Sequence, residues 1–306
     1  MHLGRFVSLA AAFAAPLLLG WVGSVQAAGY RISGPVVHEN LSLYFIHAPG
    51  VPGKVPLTLE EALAKGLVKV HETGDVNELA IENLGDAEVF VQSGDLVKGG
   101  KQDRALTVSL VLPPHSGRVS IAAFCVEQGR WSARGREDAR IFTSAAALLY
   151  SHSAKMAMKA PRPNSLPVMR LLMGAGGVDT GSRQQEIWQA VKEAQDQLSR
   201  NVGEPVAAPE SNTSLQLAYE NEKLQAARAA YIKALQPAGE KEGDIIGYVF
   251  AINGKINSAD VYASNGLFRK MWGKLIAANA TEAIGDKSTA ATKSPSLDAE
   301  IGRAHV

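Results

Sequence analysis

Between residues 106 and 112 the side chains alternate, with Leu106, Val108, Leu110 and Leu112 on one parity and Thr107 and Ser109 on the other. A period of two predicts a β-strand with one buried face. Residues 113–117, which include two prolines, interrupt it. Residues 118–126 then resume as a strand apolar on both faces towards its end (Ile121, Cys125; Phe124, Val126), the pattern of a central strand. With 113–117 as a hairpin loop, antiparallel pairing sets Leu112 opposite Arg118. Counting back, Arg104 falls opposite Val126, Asp103 opposite Glu127, Gln102 opposite Gln128, and Gly100 near Arg130. Further strand signals lie at 41–47, at 78–83 and 87–92 joined by the tight turn Leu84, Gly85 and Asp86, and at 245–252 and 255–262. The last two flank Asn253-Gly254, whose preference for positive φ marks a two-residue hairpin.

Helical periods are fewer in the first half. Residues 57–65 read as one short helix, with Thr58 placed to cap it three residues ahead of Glu61. A longer helix starts at Ser182 with a capping-box pattern through Gln185, and Ile187, Val191, Ala194 and Leu198 line one face. A second carries Leu217, Leu224, Ala227, Tyr231 and Leu235, and the two are expected to pair antiparallel. Ser264 caps a last helix bearing Leu267, Phe268, Met271, Trp272 and Leu275. Between strands and helices, 135–181 is basic and contains Pro161, Pro163 and Pro167, which predicts an irregular surface crossing. Together these elements predict an α+β fold: an antiparallel, sandwich-like sheet core built of hairpins, with a helical hairpin and a C-terminal helix packed on it. One domain over 28–280 and a flexible tail over 281–306 complete the expected organisation.

Composition narrows the setting. The 306 residues are 46% hydrophobic and 20% charged, as in a soluble globule. A formal charge of +1 supplies no overall field to recruit nucleic acid or an anionic membrane. At the N-terminus Arg5 precedes an apolar run over 6–19, and Val25, Gln26 and Ala27 supply a cleavage site. This predicts a signal peptide over 1–27, cut after Ala27, and hence a periplasmic or secreted protein. The run contains Pro16, and Gly20 follows it; it falls short of the roughly 20 residues a membrane span needs, so stable insertion is not expected. Cys125 is the single cysteine, which rules out an intramolecular disulfide. His38, His47, His71, His115 and His152 lack zinc-site spacing, and neither a metal nor a cofactor is expected.

The densest chemistry is "KGGKQDR" at 98–104. A phosphate-binding loop of Walker type requires a glycine five residues before the Gly-Lys pair's glycine, a hydroxyl after the lysine, and a following helix. Gly94 is one residue too far, Gln102 replaces the hydroxyl and a strand follows, so that reading fails. No Gly-x-Ser-x-Gly elbow is present either. What remains is Lys101, Asp103, Arg104, Glu127 and Arg130, with Gln102, Gln128 and Trp131, beside the close-approach glycines Gly99 and Gly100. In one reading Lys101, Arg104 and Arg130 clamp an anionic small molecule or a partner's carboxylate, with Trp131 as platform. In the other, Asp103 and Glu127 share proton transfer in a hydrolase acting on a nucleotide-like substrate. Against both stands a structural ion-pair network. Cys125 reads as an inert small hydrophobe rather than a nucleophile, and Asp260 either joins the active end or caps a turn.

The stretches "GDLVKGGKQDR", "CVEQGRW" and "GYVFAINGKINSADVY" together resemble the ARPP-1 family, over about residues 39–284. That family is named for association with ADP-ribosylglycohydrolase and rhodanese-phosphatase proteins. The resemblance implies genomic company with nucleotide or ADP-ribose metabolism, and it makes a nucleotide-like anion the natural candidate ligand or substrate.

Overall fold

The computed structural model describes residues 29–130, 132, 138, 140–148, 152–159 and 180–287. The expected signal peptide, Trp131 and most of the tail lie outside them. In chain order the elements are β1 (Arg31–His38), β2 (Leu41–His47), β3 (Leu57–Thr58), α1 (Leu59–Ala64), β4 (Val68–Glu72), β5 (Glu78–Asn83), β6 (Val89–Val91), β7 (Asp95–Gly99), β8 (Arg104–Leu106), β9 (Leu110–Leu112) and β10 (Gly117–Cys125). There follow β11 (Phe142–Leu148), α2 (His152–Lys159), α3 (Thr180–Val202), α4 (Leu215–Tyr219), α5 (Glu222–Glu240), β12 (Ile245–Ile252), β13 (Lys255–Val261) and α6 (Asn265–Gly285). The fold is α+β, with three sheets ordered β1-β2-β12-β13, β11-β7-β8-β10-β5-β4 and β3-β6-β9.

Period-two alternation explains how the sheets stack. In β7, β8 and β10, Leu96, Ala105 and Phe124 face one core, while their neighbours Val97, Leu106 and Ala123 face another. The six-stranded sheet is therefore buried on both sides at its centre. The first core is closed by Leu41, Leu43 and Phe45 of β2, by Tyr248 and Phe250 of β12, and by the helices. The second is closed by Val89, Val91 and Leu112 of the small sheet. Each large apolar side chain so buried contributes about 1.5–3 kcal/mol.

Local chemistry sets several elements as expected. Thr58 and Glu61 form a reciprocal capping box on α1. Asn253 (φ 50°) and Gly254 (φ 74°) make the two-residue turn between β12 and β13. Ser264 accepts from the Leu267 N–H at the start of α6. That helix carries buried Leu267, Phe268, Met271, Trp272 and Leu275, and runs on through buried Thr281 and Glu282, past the start of the expected tail. Gly239 of α5 lies where a Cβ would stand 2.2 Å from the Trp272 ring, so α5 and α6 pack at a distance only glycine permits.

The structure departs from expectation in five places. The alternating run 106–112 is two strands in different sheets: β8 pairs with β10, whereas β9 pairs with β6. The outer half of β10 leaves the proline turn to pair with β5, Arg118 opposite Glu82. Strands β5 and β6 likewise part company instead of forming a hairpin, because the Asn83 side chain donates to the carbonyls of Ala87 and Pro113 and ties both turns together. The stretch 135–181 contains β11, paired with β7, and α2. The predicted second helix breaks into α4 and α5, each with its own cap, Ser214 and Asn221; α5 packs chiefly on α6, and α3 on α2 and α6.

Candidate functional site

The sequence places "GGKQDR" and "CVEQGR" together, and so does the fold. Arg104 pairs with Cys125, one residue from the expected Val126. The Val126 N–H donates to the Asp103 carbonyl at 3.1 Å, and the Asp103 N–H donates to Glu127 Oε2 at 3.2 Å. Gln102 bridges the rest: its amide nitrogen donates to the Glu127 carbonyl, while Arg104 Nη1 donates to its main-chain oxygen. Arg130 reaches back over the turn, donating to the carbonyls of Gly99 and Gly100 at 3.2 Å each.

Both arginines of this cluster stand in ion pairs. Arg130 Nη2 stands 2.7 Å from Glu127 Oε2 and 3.6 Å from Asp103 Oδ1. Asp103 also accepts from the Gly99 N–H and from the Ser214 hydroxyl, both at 2.9 Å. Glu72, at the end of β4, accepts from the Lys101 N–H and lies 3.7 Å from Arg104 Nη2. Three cations, Lys101, Arg104 and Arg130, thus balance three carboxylates in number among the described residues, with the two arginines in ion pairs and Lys101 bonded to Glu72 through its main-chain N–H. Asp103, Arg104 and Glu127 are all 0% exposed. Burial on this scale is tolerable because each ion is paired and hydrogen-bonded.

The two glycines serve the fold's own contacts. Gly100 has φ +56°, and a Cβ there would stand 2.1 Å from the Phe142 ring; at Gly99 it would meet the Ile141 carbonyl at 2.5 Å. The close approach that the glycines allow to ligand or backbone is made here by Ile141 and by Phe142 at the start of β11. Lys101 is half-buried and Gln128 is exposed, so the cluster meets solvent at those two residues and at the rim of Arg130.

Three contributors were invisible to sequence reasoning because they arrive from far along the chain. Glu72 supplies the third carboxylate. Ser214 caps α4 while donating to Asp103, joining that helix to the cluster. Gln184 of α3 pairs with Cys125 like a strand neighbour, accepting from its N–H and donating to its carbonyl. Cys125 itself is buried, and burial pushes its thiol up to about 11, which keeps it protonated and unreactive at neutral pH.

Candidate groups also lie at two other places. His47, Glu242 and Asp244 converge closely enough to suit a metal ion, a meeting their spacing does not announce. The guanidinium of Arg31 already stands among them, 2.9 Å from His47 and Glu242 and 3.3 Å from Asp244, and supplies the positive charge. Asp260 neither joins the 99–104 cluster nor caps a turn. It lies mid-strand in β13, opposite Tyr248.

Residues 29–305 match the family model described as the ARG and Rhodanese-Phosphatase-superfamily-associated Protein domain, ARPP-1. No curated protein and no solved structure matches the chain. No described helix is long and apolar enough to cross a membrane. The match spans nearly the whole sequence, and the chain belongs to the ARPP-1 family.

Proposed function

We propose that this ARPP-1 protein is exported and binds an anionic small molecule or a partner's carboxylate at the rim of the 99–104 cluster, without hydrolysing it. Lys101 makes the outer contact, Arg130 supports it, and Trp131 is the platform. Arg104 is an internal counter-ion. The observation that carries this reading is the placement of Asp103 and Glu127. Both are fully buried with their oxygens facing N–H, O–H and guanidinium donors. A general acid or base must reach the proton it transfers, directly or through one water. Buried carboxylates committed to internal donors are placed to hold the rim in shape instead. Because three cations are balanced by three carboxylates, no strong field draws an anion in, and binding is weak and salt-sensitive.

The test is thermal shift of the purified protein with nucleotides, sugar phosphates and ADP-ribose, followed by product detection. Stabilisation without turnover, lost in Lys101→Ala with the fold intact, is the expected result. Turnover abolished by Asp103→Asn and Glu127→Gln in folded protein overturns it in favour of the hydrolase. For export, the mature N-terminus is expected at Ala28 in the extracytoplasmic fraction. Intact Met1 in the cytoplasm contradicts it.

A further inference from the structure

A cavity of about 150 Å³ lies between β12, β13, α2 and α6, apart from the 99–104 cluster. Its apolar wall is formed by Leu148, Met158, Leu275 and Ala278. An apolar space of about 150 Å³ accommodates a molecule the size of benzene. The occupant is therefore a small one, and its polar end is set by what the remaining wall lacks.

The charged side chains on the cavity wall are Lys155 and Asp260, and His152 lines it as well. Lys274 and Asp95 form a buried pair at 2.7 Å, and Lys155 stands 3.8 Å from Glu282. Asp260 has no cation within ion-pair distance among the described residues. Its partner is the Tyr248 hydroxyl at 3.3 Å.

That hydroxyl is over-committed. It also faces Asn279 Oδ1 at 3.4 Å, and a phenol has one proton for two acceptors. Burial, reinforced by the charge of Asp260, pushes Tyr248 well above its ordinary range, so it stays a donor. Asn279 is 1% exposed and its Nδ2 has no hydrogen-bond partner. Amide oxygen and nitrogen are assigned from their surroundings. Turning the amide lets Nδ2 donate to Tyr248 and Tyr248 donate to Asp260, and it leaves the amide oxygen without a donor. Asn257, also on the cavity wall, has a buried Oδ1 with no donor, because its Nδ2 is given to Glu282. Asp260, Asn257 and Asn279 thus present acceptors on one side of the cavity, while Lys155, also on its wall, has Glu282 as its counter-ion.

We infer that this cavity binds a small primary amine, whose ammonium group donates to Asp260 and to the amide oxygens of Asn257 and Asn279 while its short hydrocarbon body packs on Leu148, Met158 and Leu275. A protonated amine brings three N–H donors and a counter-charge for Asp260 in one group. This site is independent of the anion-binding rim and does not rest on it.

The experiment is calorimetric titration of the full chain at pH 7 with n-butylamine, n-butanol and butyrate, which share a body and differ in their polar end. Saturable binding of the amine, weaker by about tenfold or more for the alcohol and absent for butyrate, is expected, because a site built around a polar group rejects analogues lacking it. Asp260→Asn keeps an acceptor for Tyr248 and is expected to weaken the amine about tenfold or more. Lys101→Ala leaves amine affinity unchanged. Equal binding of amine and alcohol, preference for butyrate, absence of any binding, or full amine affinity in folded Asp260→Asn overturns the inference. Should that variant not fold, the three-ligand comparison on the unaltered chain decides alone.

Discussion

The cluster at the start of β8 and the cavity beside β13 both carry carboxylates, but Asp103 and Glu127 are fully buried whereas Asp260 is half-buried. In the cluster, Glu72, Asp103 and Glu127 meet Arg104, Arg130 and main-chain donors at close range. Beside β13, Asp260 has the Tyr248 hydroxyl as its partner and no cation within ion-pair distance among the described residues. The dense motif is therefore closed and the sparse one open. Charge density along a sequence marks where a fold is tied; an unbalanced charge in a cavity marks where a ligand is wanted.

The comparison breaks first at Arg130. Replacing it with Met strands two buried carboxylates, and a loss of about 3–5 kcal/mol in denaturant unfolding is expected. A change below about 1 kcal/mol, the value of an exposed pair, contradicts a closed cluster.

Next in size is the alkaline limb of stability. Cys125 ionises near 9 when unfolded and at about 11 when folded, because burial disfavours its thiolate. Below pH 9 both states hold the proton, and stability is level. Between pH 9 and 11 only the unfolded state releases it, so stability falls, by roughly 3 kcal/mol in total, and above pH 11 the loss stops. The difference between the pH profiles of the unaltered chain and Cys125→Ala isolates this; parallel profiles contradict it.

Ser214→Ala removes both the α4 cap and a donor to Asp103, and a loss of about 1–2 kcal/mol is expected. Thermal unfolding checks it. The smallest effect belongs to the open region. Asp260→Asn retains an acceptor for Tyr248, and a stability change within about 0.5 kcal/mol is expected. A loss comparable to that of Arg130→Met would make the two regions alike and remove the distinction between them.

What could be read from the sequence was local. The Thr58 capping box, the Asn253-Gly254 turn and the Ser264 cap are each decided by residues within a few positions, and each formed as expected. The meeting of Asp103 with Glu127 also survived, although the hairpin used to derive it opens near its turn. It survived because β8 and the inner half of β10 do pair, within one residue of the inferred register. Alternation over 106–112 could not show that Thr107 to Ser109 is a crossing between sheets, because Leu106 of β8 and Leu112 of β9 share a parity and enter the same core. Strand β11, with the run Thr143 to Ala147 built of small residues, carries no strong period at all. Glu72, Gln184 and Ser214 enter the cluster from separate elements, and no spacing rule connects them to 99–104.

The central claim is that the charged motif ties the fold together and does no hydrolytic chemistry. Glu127→Gln tests it most directly, with unfolding free energy and ADP-ribose turnover measured on the same preparation. The account predicts a loss of about 3–5 kcal/mol, as one partner of a buried pair is removed, and no turnover in either protein. A variant as stable as the unaltered chain, or a hydrolysis that the unaltered chain performs and the variant loses while still folded, contradicts it.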